Sequence, residues 1–183
     1  MSAQKTIVIG IGNALFCDEG VGCLAALYLE KNYRFSPAID LMDGATLGFK
    51  LMPYVQEYDQ ILILDTVSIE DAPGSVYVLP KKALLDLGEY RKTAHEVEVV
   101  QMMEICEFLD KSAEVTVIGI VPEDIESVAI GLSPTIEKHF QPFITAALNE
   151  LEKLGYASEK IGHTSLEEII QSISNPSAMK EPV

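Results

Sequence analysis

The chain has 183 residues, of which 48% are hydrophobic, and this size and composition fit one domain with a sizeable core. Its formal net charge of -15 argues against nucleic-acid binding and against anionic membranes, because proteins contact both through lysine and arginine. The sequence shows neither a charged and then apolar leader nor an apolar run of the roughly 20 residues that span a bilayer. We therefore expect a cytoplasmic protein.

The first predicted strand runs into a glycine-rich turn. Residues 6–11 are β-branched and almost wholly apolar, which is typical of a strand buried on both faces of a parallel sheet. From Val21 onward the apolar residues follow helical spacing. The turn between this strand and this helix carries two adjacent acids, Asp18 and Glu19.

This turn differs from a dinucleotide-binding fingerprint. That fingerprint needs a third glycine where this chain has Leu15, and it keeps acids away from the pyrophosphate at the helix N-terminus. Carboxylates at this position suit cations or amide N–H groups, so the turn predicts a metal site or an amide site. The alternative is that Asp18 caps the helix and Glu19 is a favourable acid of the first turn.

Two further predicted strands also end in acids. A short apolar strand over 38–42 ends at Asp43, and the Ile-Leu-Ile-Leu run before Asp65 predicts a buried strand. A helix over 47–57, capped by Thr46, connects these two strands. Because the ligand crevice of an open parallel sheet lies outside the carboxyl ends of its strands, we expect all these acids to face one crevice.

The second half of the chain continues the alternation of strands and helices. In order, the sequence predicts an edge strand over 75–79, a helical turn over 83–87, a helix that begins at His95, a strand over 114–121, and a helix from Pro134 that ends at Gly155. These elements predict a single α/β domain with three layers, α/β/α, around a twisted and mostly parallel sheet of about five strands.

The chain after Gly155 is predicted to be an extension of this domain. We assign residues 1–155 to the α/β domain and residues 156–183 to a C-terminal extension with one short amphipathic helix and then disorder. The Thr164-Ser165-Leu166-Glu167 sequence predicts a capping box at the start of that helix. We expect the helix to dock on the body or on a partner.

Three cysteines, Cys17, Cys23 and Cys106, form an odd set without a Cys-x-x-Cys pair, which supports neither a disulfide framework nor a zinc finger. We expect Cys23 and Cys106 to be small core residues. Cys17 lies inside the glycine-rich turn, and its role is left open.

A histidine at a helix start completes a candidate metal site. Glu19, Asp65 and His95 would supply two carboxylates and one imidazole, which leave open coordination positions and suit a borderline divalent metal such as nickel or zinc. The other histidines, His139 and His163, are interpreted as ordinary core or surface residues.

A series of short motifs resembles the maturation endopeptidases of nickel-iron hydrogenases. The matching residues, in order, are Gly10-Ile11-Gly12-Asn13, Asp18-Glu19-Gly20-Val21-Gly22, Asp43-Gly44, Ile63-Leu64-Asp65, His95, Ile118-Gly119-Ile120-Val121-Pro122-Glu123 and Gly131-Leu132-Ser133-Pro134-Thr135. The resemblance covers about residues 6–155, and Ala45 stands where the family often has glycine.

The resemblance implies an enzyme that removes a C-terminal extension from a hydrogenase large-subunit precursor after nickel insertion, and we expect this enzyme to be a monomer. The family's metal-contacting residues fall on Glu19, Asp65 and His95, and the metal would be nickel supplied by the precursor. We expect Asp43 to assist activation of the attacking water as the catalytic residue.

Two alternatives belong to other functional classes. The crevice could be a metal-gated docking site without hydrolysis, in which case the mass of the precursor would not change. A nucleotide-binding oxidoreductase would need the missing third glycine, and failure to bind NAD would exclude it.

Overall fold

The apolar stretches of the sequence form a five-stranded sheet with helices on both faces. The computed structural model describes residues 4–86, 101, 104–105 and 113–175. In these residues the elements are β1 (Thr6–Ile11), a 3-10 helix (Cys17–Gly20), α1 (Val21–Asn32), β2 (Tyr33–Ser36), β3 (Asp40–Ala45), a second 3-10 helix (Gly48–Leu51), α2 (Met52–Glu57), β4 (Gln60–Thr66), β5 (Val76–Pro80), α3 (Lys81–Asp86), β6 (Glu114–Ile120), α4 (Pro134–Lys153), β7 (Ala157–Lys160) and α5 (Leu166–Ser174).

The main sheet has the strand order β3-β1-β4-β6-β5. All neighbouring pairs are parallel except β5 with β6, which places the one antiparallel strand of this sheet at its edge. The predicted α/β fold with a mostly parallel sheet is therefore confirmed, as is the edge strand. None of the described helices is both long and apolar enough to cross a lipid bilayer.

Alternate residues of the central strands face two separate apolar layers. Ile9 and Ile63 belong to a cluster that includes Val55 of α2, whereas Val8 and Leu62 belong to a cluster that includes residues of α1 and α4. This alternation follows from the two-residue period of a strand. It confirms the α/β/α layering.

Two glycines allow α1 to lie directly on the sheet. A Cβ atom on Gly22 would stand 2.1 Å from the carbonyl oxygen of Leu64 and 2.3 Å from that of Ile11. A Cβ atom on Gly10 would stand 2.2 Å from the carbonyl oxygen of Gly22. Because these are backbone atoms, any side chain here would push the helix off the strands. Gly10, which belongs to the pattern that resembles a dinucleotide fingerprint, therefore serves helix-to-strand packing together with Gly22.

Several predicted boundaries differ from the structure. The predicted helix over 47–57 is divided into a 3-10 helix and α2, with Pro53 in the first turn of α2, where its missing N–H removes no hydrogen bond. The predicted cap at Thr46 is wrong, because α2 begins after Leu51 and has no side-chain cap. The two-stranded sheet of β2 and β7 was not predicted.

The capping box of α5 lies one residue later than predicted. The N-cap is Ser165, whose Oγ accepts a hydrogen bond from Glu168 N at 3.1 Å, while Glu168 Oε2 accepts one from Ser165 N at 2.6 Å. The predicted frame from Thr164 to Glu167 is wrong because both frames contain a hydroxyl residue followed three positions later by a glutamate. Only the backbone direction at the helix start distinguishes them.

Residues 156–175 pack against the rest of the chain. The Tyr156 hydroxyl donates to Gln4 O at 2.8 Å and lies 2.6 Å from Thr6 Oγ1. β7 pairs with β2 in antiparallel register, and Ile169 of α5 is 2% exposed within the core cluster shared with α1 and α4. The disorder predicted at the end of the chain falls on residues 176–183, which lie outside the described residues.

We predict that Gly22→Ala lowers the free energy of unfolding by about 3 kcal/mol, because the new methyl group collides with backbone. Gly155→Ala is the control: nothing lies within 4 Å of its Cβ position and its φ is +91°, so the cost is only about 1 kcal/mol of backbone strain. Urea unfolding of both variants measures the difference. Equal losses would contradict the proposed close approach.

We predict that Ile169→Ala lowers the free energy of unfolding by about 2 to 4 kcal/mol, because it leaves a cavity in a core shared with the sheet. Thermal unfolding should remain a single transition at a lower midpoint. Ile161→Ala, at a side chain that is 48% exposed, should change stability by less than about 0.5 kcal/mol. A separate early transition in the Ile169 variant would show that α5 unfolds independently.

Candidate functional site

The carboxyl ends of β3 and β4 place two of the predicted acids on either side of β1. Gly10 of β1 is in register with Asp43 on one side and with Leu64, the residue before Asp65, on the other. The Asp43 side is exposed, whereas Asp65 is 6% exposed. Asp43 and Asp65 therefore flank β1, with one acid open to water and one largely enclosed, whereas the expectation that Asp18 also faces a crevice is wrong, because its side chain is fully buried.

Cys23, in the first turn of α1, lies close to both of these acids. Burial raises the pKa of its thiol, and the negative charge of Asp43, a hydrogen bond with the Asp43 side chain and the charge of Asp65 raise it further. Its Sγ lies 3.4 Å from Gly12 O. Cys23 is buried as predicted, but its contact with Asp43 was not foreseen, because only the crossing of α1 over the strand ends brings them together.

The end of β3 is held in an unusual backbone conformation next to Asp43. Ala45 has a φ of +40°, in the region that favours glycine. Asp43 Oδ1 accepts a hydrogen bond from Ala45 N at 2.9 Å, and Ala45 O accepts one from Gly12 N at 3.0 Å. Ala45, which stands where the family that this sequence resembles often has glycine, is thus the residue that needs a left-handed backbone.

Gly12 also fixes the place of Glu19. Its φ is +132°, and a Cβ atom there would stand 1.8 Å from the carbonyl oxygen of Glu19. Glu19 N donates to Phe16 O at 3.0 Å within the 3-10 helix, and the residue is partly buried. The lack of a side chain at Gly12 therefore lets the Glu19 turn pack against the end of β1.

Asp18 is a buried anchor. Its side chain is 0% exposed. Its Oδ2 accepts hydrogen bonds from Glu123 N at 3.0 Å and Asp124 N at 2.8 Å, and its Oδ1 accepts one from Ser133 N at 2.6 Å. The Ser133 hydroxyl donates to Oδ2 at 2.9 Å. Of the interpretations of this acid, the amide site is the one observed, and the helix-cap alternative is wrong, since neither the 3-10 helix nor α1 has a side-chain cap.

The anchored segments also pair through their backbones. Phe16 and Ala129 form an isolated parallel bridge, with Cys17 N donating to Ala129 O at 2.9 Å and Ala129 N to Leu15 O at 3.0 Å. Cys17 has a φ of +43° and is buried, and this burial, with the nearby charge of Asp18, raises the pKa of its thiol. Cys17 therefore stays a neutral packing residue in this turn.

His95 and Cys106 fall outside the described residues, and of the helix predicted to begin at His95 the structure describes only residues 101 and 104–105, which are helical. Within residues 4–86 and 113–175, no three His, Cys, Asp or Glu side chains are grouped so that they could hold a metal ion. The metal site of Glu19, Asp65 and His95 therefore stays a prediction. His139 lies within the length of α4, and its Nδ1 is 2.8 Å from Thr135 O one turn earlier.

We predict that Asp18→Ala lowers the free energy of unfolding by about 3 to 5 kcal/mol, because several buried donors lose their acceptor. Asp124→Ala is the control, since Asp124 Oδ1 also accepts two backbone N–H groups, from Glu126 and Ser127, but at an exposed loop. There water replaces the carboxylate, and the loss should stay below about 1 kcal/mol. Denaturant unfolding measures both variants, and similar losses would contradict the role of burial at Asp18.

Comparisons with known proteins agree on one family. The family model HycI, described as hydrogenase maturation protease, matches residues 23–150. The hydrogenase 2 maturation protease of Escherichia coli is 28% identical over 154 residues, which cover 83% of this chain and 93% of that protein. The hydrogenase expression/formation protein HoxM of Azotobacter vinelandii is 29% identical over 157 residues, with 85% and 76% covered.

Solved structures show the same relationship. The hydrogenase maturating endopeptidase HybD of Escherichia coli superposes with a TM-score of 0.79 at 26% identity, covering 85% of this chain and 97% of that chain. The [NiFe] hydrogenase maturation protease HybD of Thermococcus kodakarensis has a TM-score of 0.65 at 24% identity, over 80% and 98% of the chains. The second similarity concerns the fold alone.

Proposed function

Because this chain belongs to the hydrogenase maturation protease family and is an endopeptidase, we propose that it removes the C-terminal extension of a nickel-iron hydrogenase large-subunit precursor after nickel insertion. The observation that carries the proposal is the placement of Asp43 and Asp65 at strand ends that flank β1, with Glu19 on the adjoining turn.

We assign recognition of the bound metal to Glu19, Asp65 and His95. Nickel held by the precursor is part of the substrate, and these side chains bind its open coordination positions. A precursor without nickel offers these side chains no metal ion to bind, so it is not held. Binding the metal also fixes the scissile bond, and such positioning can remove several kcal/mol from the barrier to amide hydrolysis.

Asp43 is assigned the proton transfer. Its side chain lies at an exposed strand end, where water reaches it, and Ala45 N orients one of its carboxylate oxygens. Asp43 takes a proton as the water oxygen attacks the carbonyl carbon of the scissile bond. The C–N bond then breaks, and the proton passes to the leaving amine.

The test of the proposed function is a mass measurement on the large-subunit precursor. Incubation with this protein should shorten the nickel-loaded precursor and leave the nickel-free precursor at its full mass. If the precursor binds but its mass does not change, the metal-gated docking module is favoured. Equal shortening of the nickel-loaded and nickel-free precursors would contradict recognition of nickel.

Site variants separate the two assigned roles. We predict that Glu19→Gln, Asp65→Asn and His95→Ala lower both binding and cleavage of the nickel-loaded precursor. Asp43→Asn should keep binding while the cleavage rate falls about 100-fold or more, the usual contribution of a general base. Glu159→Gln, which removes a charge from an exposed position on β7, is the control and should cleave at the wild-type rate. Wild-type cleavage by Asp43→Asn would contradict its catalytic role.

A further inference from the structure

An exposed apolar patch lies beside the glycine-rich turn. It consists of Leu15, Val128 and Ile130, whose side chains are 54%, 79% and 37% exposed. The parallel bridge between Phe16 and Ala129 brings Leu15 alongside Val128. Clustered apolar side chains that remain in water at fixed positions are typical of interaction sites.

The patch is held in place by the framework of the candidate site. Ala129 is bonded through its N–H and its carbonyl to Leu15 and Cys17, and Asp18 anchors the start of the loop that carries Val128 and Ile130. Leu15 precedes Glu19 by only four residues. A chain that contacts the patch is therefore already next to the turn that carries Glu19.

The loop also offers an unpaired backbone edge. In the part of the chain that the structure describes, Val128 N and Ile130 N donate no hydrogen bond, whereas Ala129 N between them pairs with Leu15. Ala129 N points at Leu15, whereas the N–H groups of its two neighbours take no part in that pairing. Such an edge accepts an added strand, which backbone hydrogen bonds hold and apolar side chains select.

The two chain segments that form the patch carry only negative charges. Residues 123–131 contain Glu123, Asp124 and Glu126 but no lysine or arginine, and residues 6–30 contain no lysine or arginine either. Hydrogen bonds from Ser127 and Glu126 lower the pKa of Asp124, so this acid is fully ionised at neutral pH. A second copy of this chain, with a net charge of -15, would be repelled, whereas a segment with lysine or arginine is attracted.

We propose that this patch binds an extended segment of the hydrogenase large-subunit precursor that carries apolar side chains at alternate positions and lysine or arginine beside them. The inference rests on the proposed function, which supplies the precursor as the substrate of the neighbouring site. The added strand pairs with the edge at Val128 and Ile130, and its apolar side chains cover the patch. Binding here delivers the scissile bond towards Asp43.

The experiment compares matched exposed apolar side chains on and off the patch. The double variant Leu15→Ser with Val128→Ser should raise KM for cleavage of the nickel-loaded precursor at least tenfold with kcat nearly unchanged, because uniform binding is lost. The controls Val78→Ser and Ile161→Ser, at side chains 40% and 48% exposed elsewhere, should leave KM unchanged. Thermal unfolding checks that all variants fold. Unchanged KM in the double variant, or an equal rise in the controls, overturns the proposal.

A second arm tests the charge and separates this proposal from the peptidase assignment. Glu126→Lys should weaken binding of a fluorescently labelled precursor and reduce its salt dependence, whereas Glu159→Lys should not. Binding that depends on the patch without cleavage would leave this proposal standing and overturn the peptidase function. Cleavage that does not depend on the patch would overturn this proposal and leave the peptidase function standing. Loss of dimerisation in the double variant, without a change in precursor binding, would also overturn this proposal.

Discussion

The arrangement of the site depends on one buried carboxylate. Asp18 takes hydrogen bonds from the backbone at Glu123, Asp124 and Ser133, which are more than a hundred positions away in the chain. A buried charge is tolerated only when such donors replace water. These N–H donors lie at the start of the loop before α4 and at the start of α4 itself. One side chain therefore sets the position of the Glu19 turn relative to the second half of the domain.

The glycine-rich turn shows how one sequence pattern can serve a different purpose from the one it resembles. In a dinucleotide site the glycines bring backbone N–H groups to a phosphate. Here Gly10 and Gly22 allow α1 to pack directly on β1 and β4, and Gly12 leaves room for the Glu19 carbonyl. The space an anion would need at the helix start is taken by an acid bonded to amides. Both kinds of turn allow a helix to pack closely on a strand, but this turn places a carboxylate where a dinucleotide site binds an anion.

Negative charge is distributed in two ways around this edge of the sheet. Asp18 is enclosed and hydrogen-bonded to internal donors, whereas Asp43, Glu123 and Glu126 remain accessible to water. The accessible acids suit a substrate that brings a metal cation and basic side chains. The apolar patch beside the glycine-rich turn adds contact that salt does not screen, so recognition of the precursor would combine a directional backbone edge, apolar contact and charge.

The sequence by itself determined the five strands of the main sheet and the acids at the ends of β3 and β4, because buried strands are continuous apolar runs that can be recognised locally. It also indicated the family through the spacing of glycines and acids along the chain. It did not determine the fate of Asp18, the contact of Cys23 with Asp43, or the pairing of β2 with β7. Each depends on segments distant in sequence, and a carboxylate that will bind amides is the same residue as one that will bind metal. Only the tertiary structure decided between them, because it fixes which donors reach each oxygen.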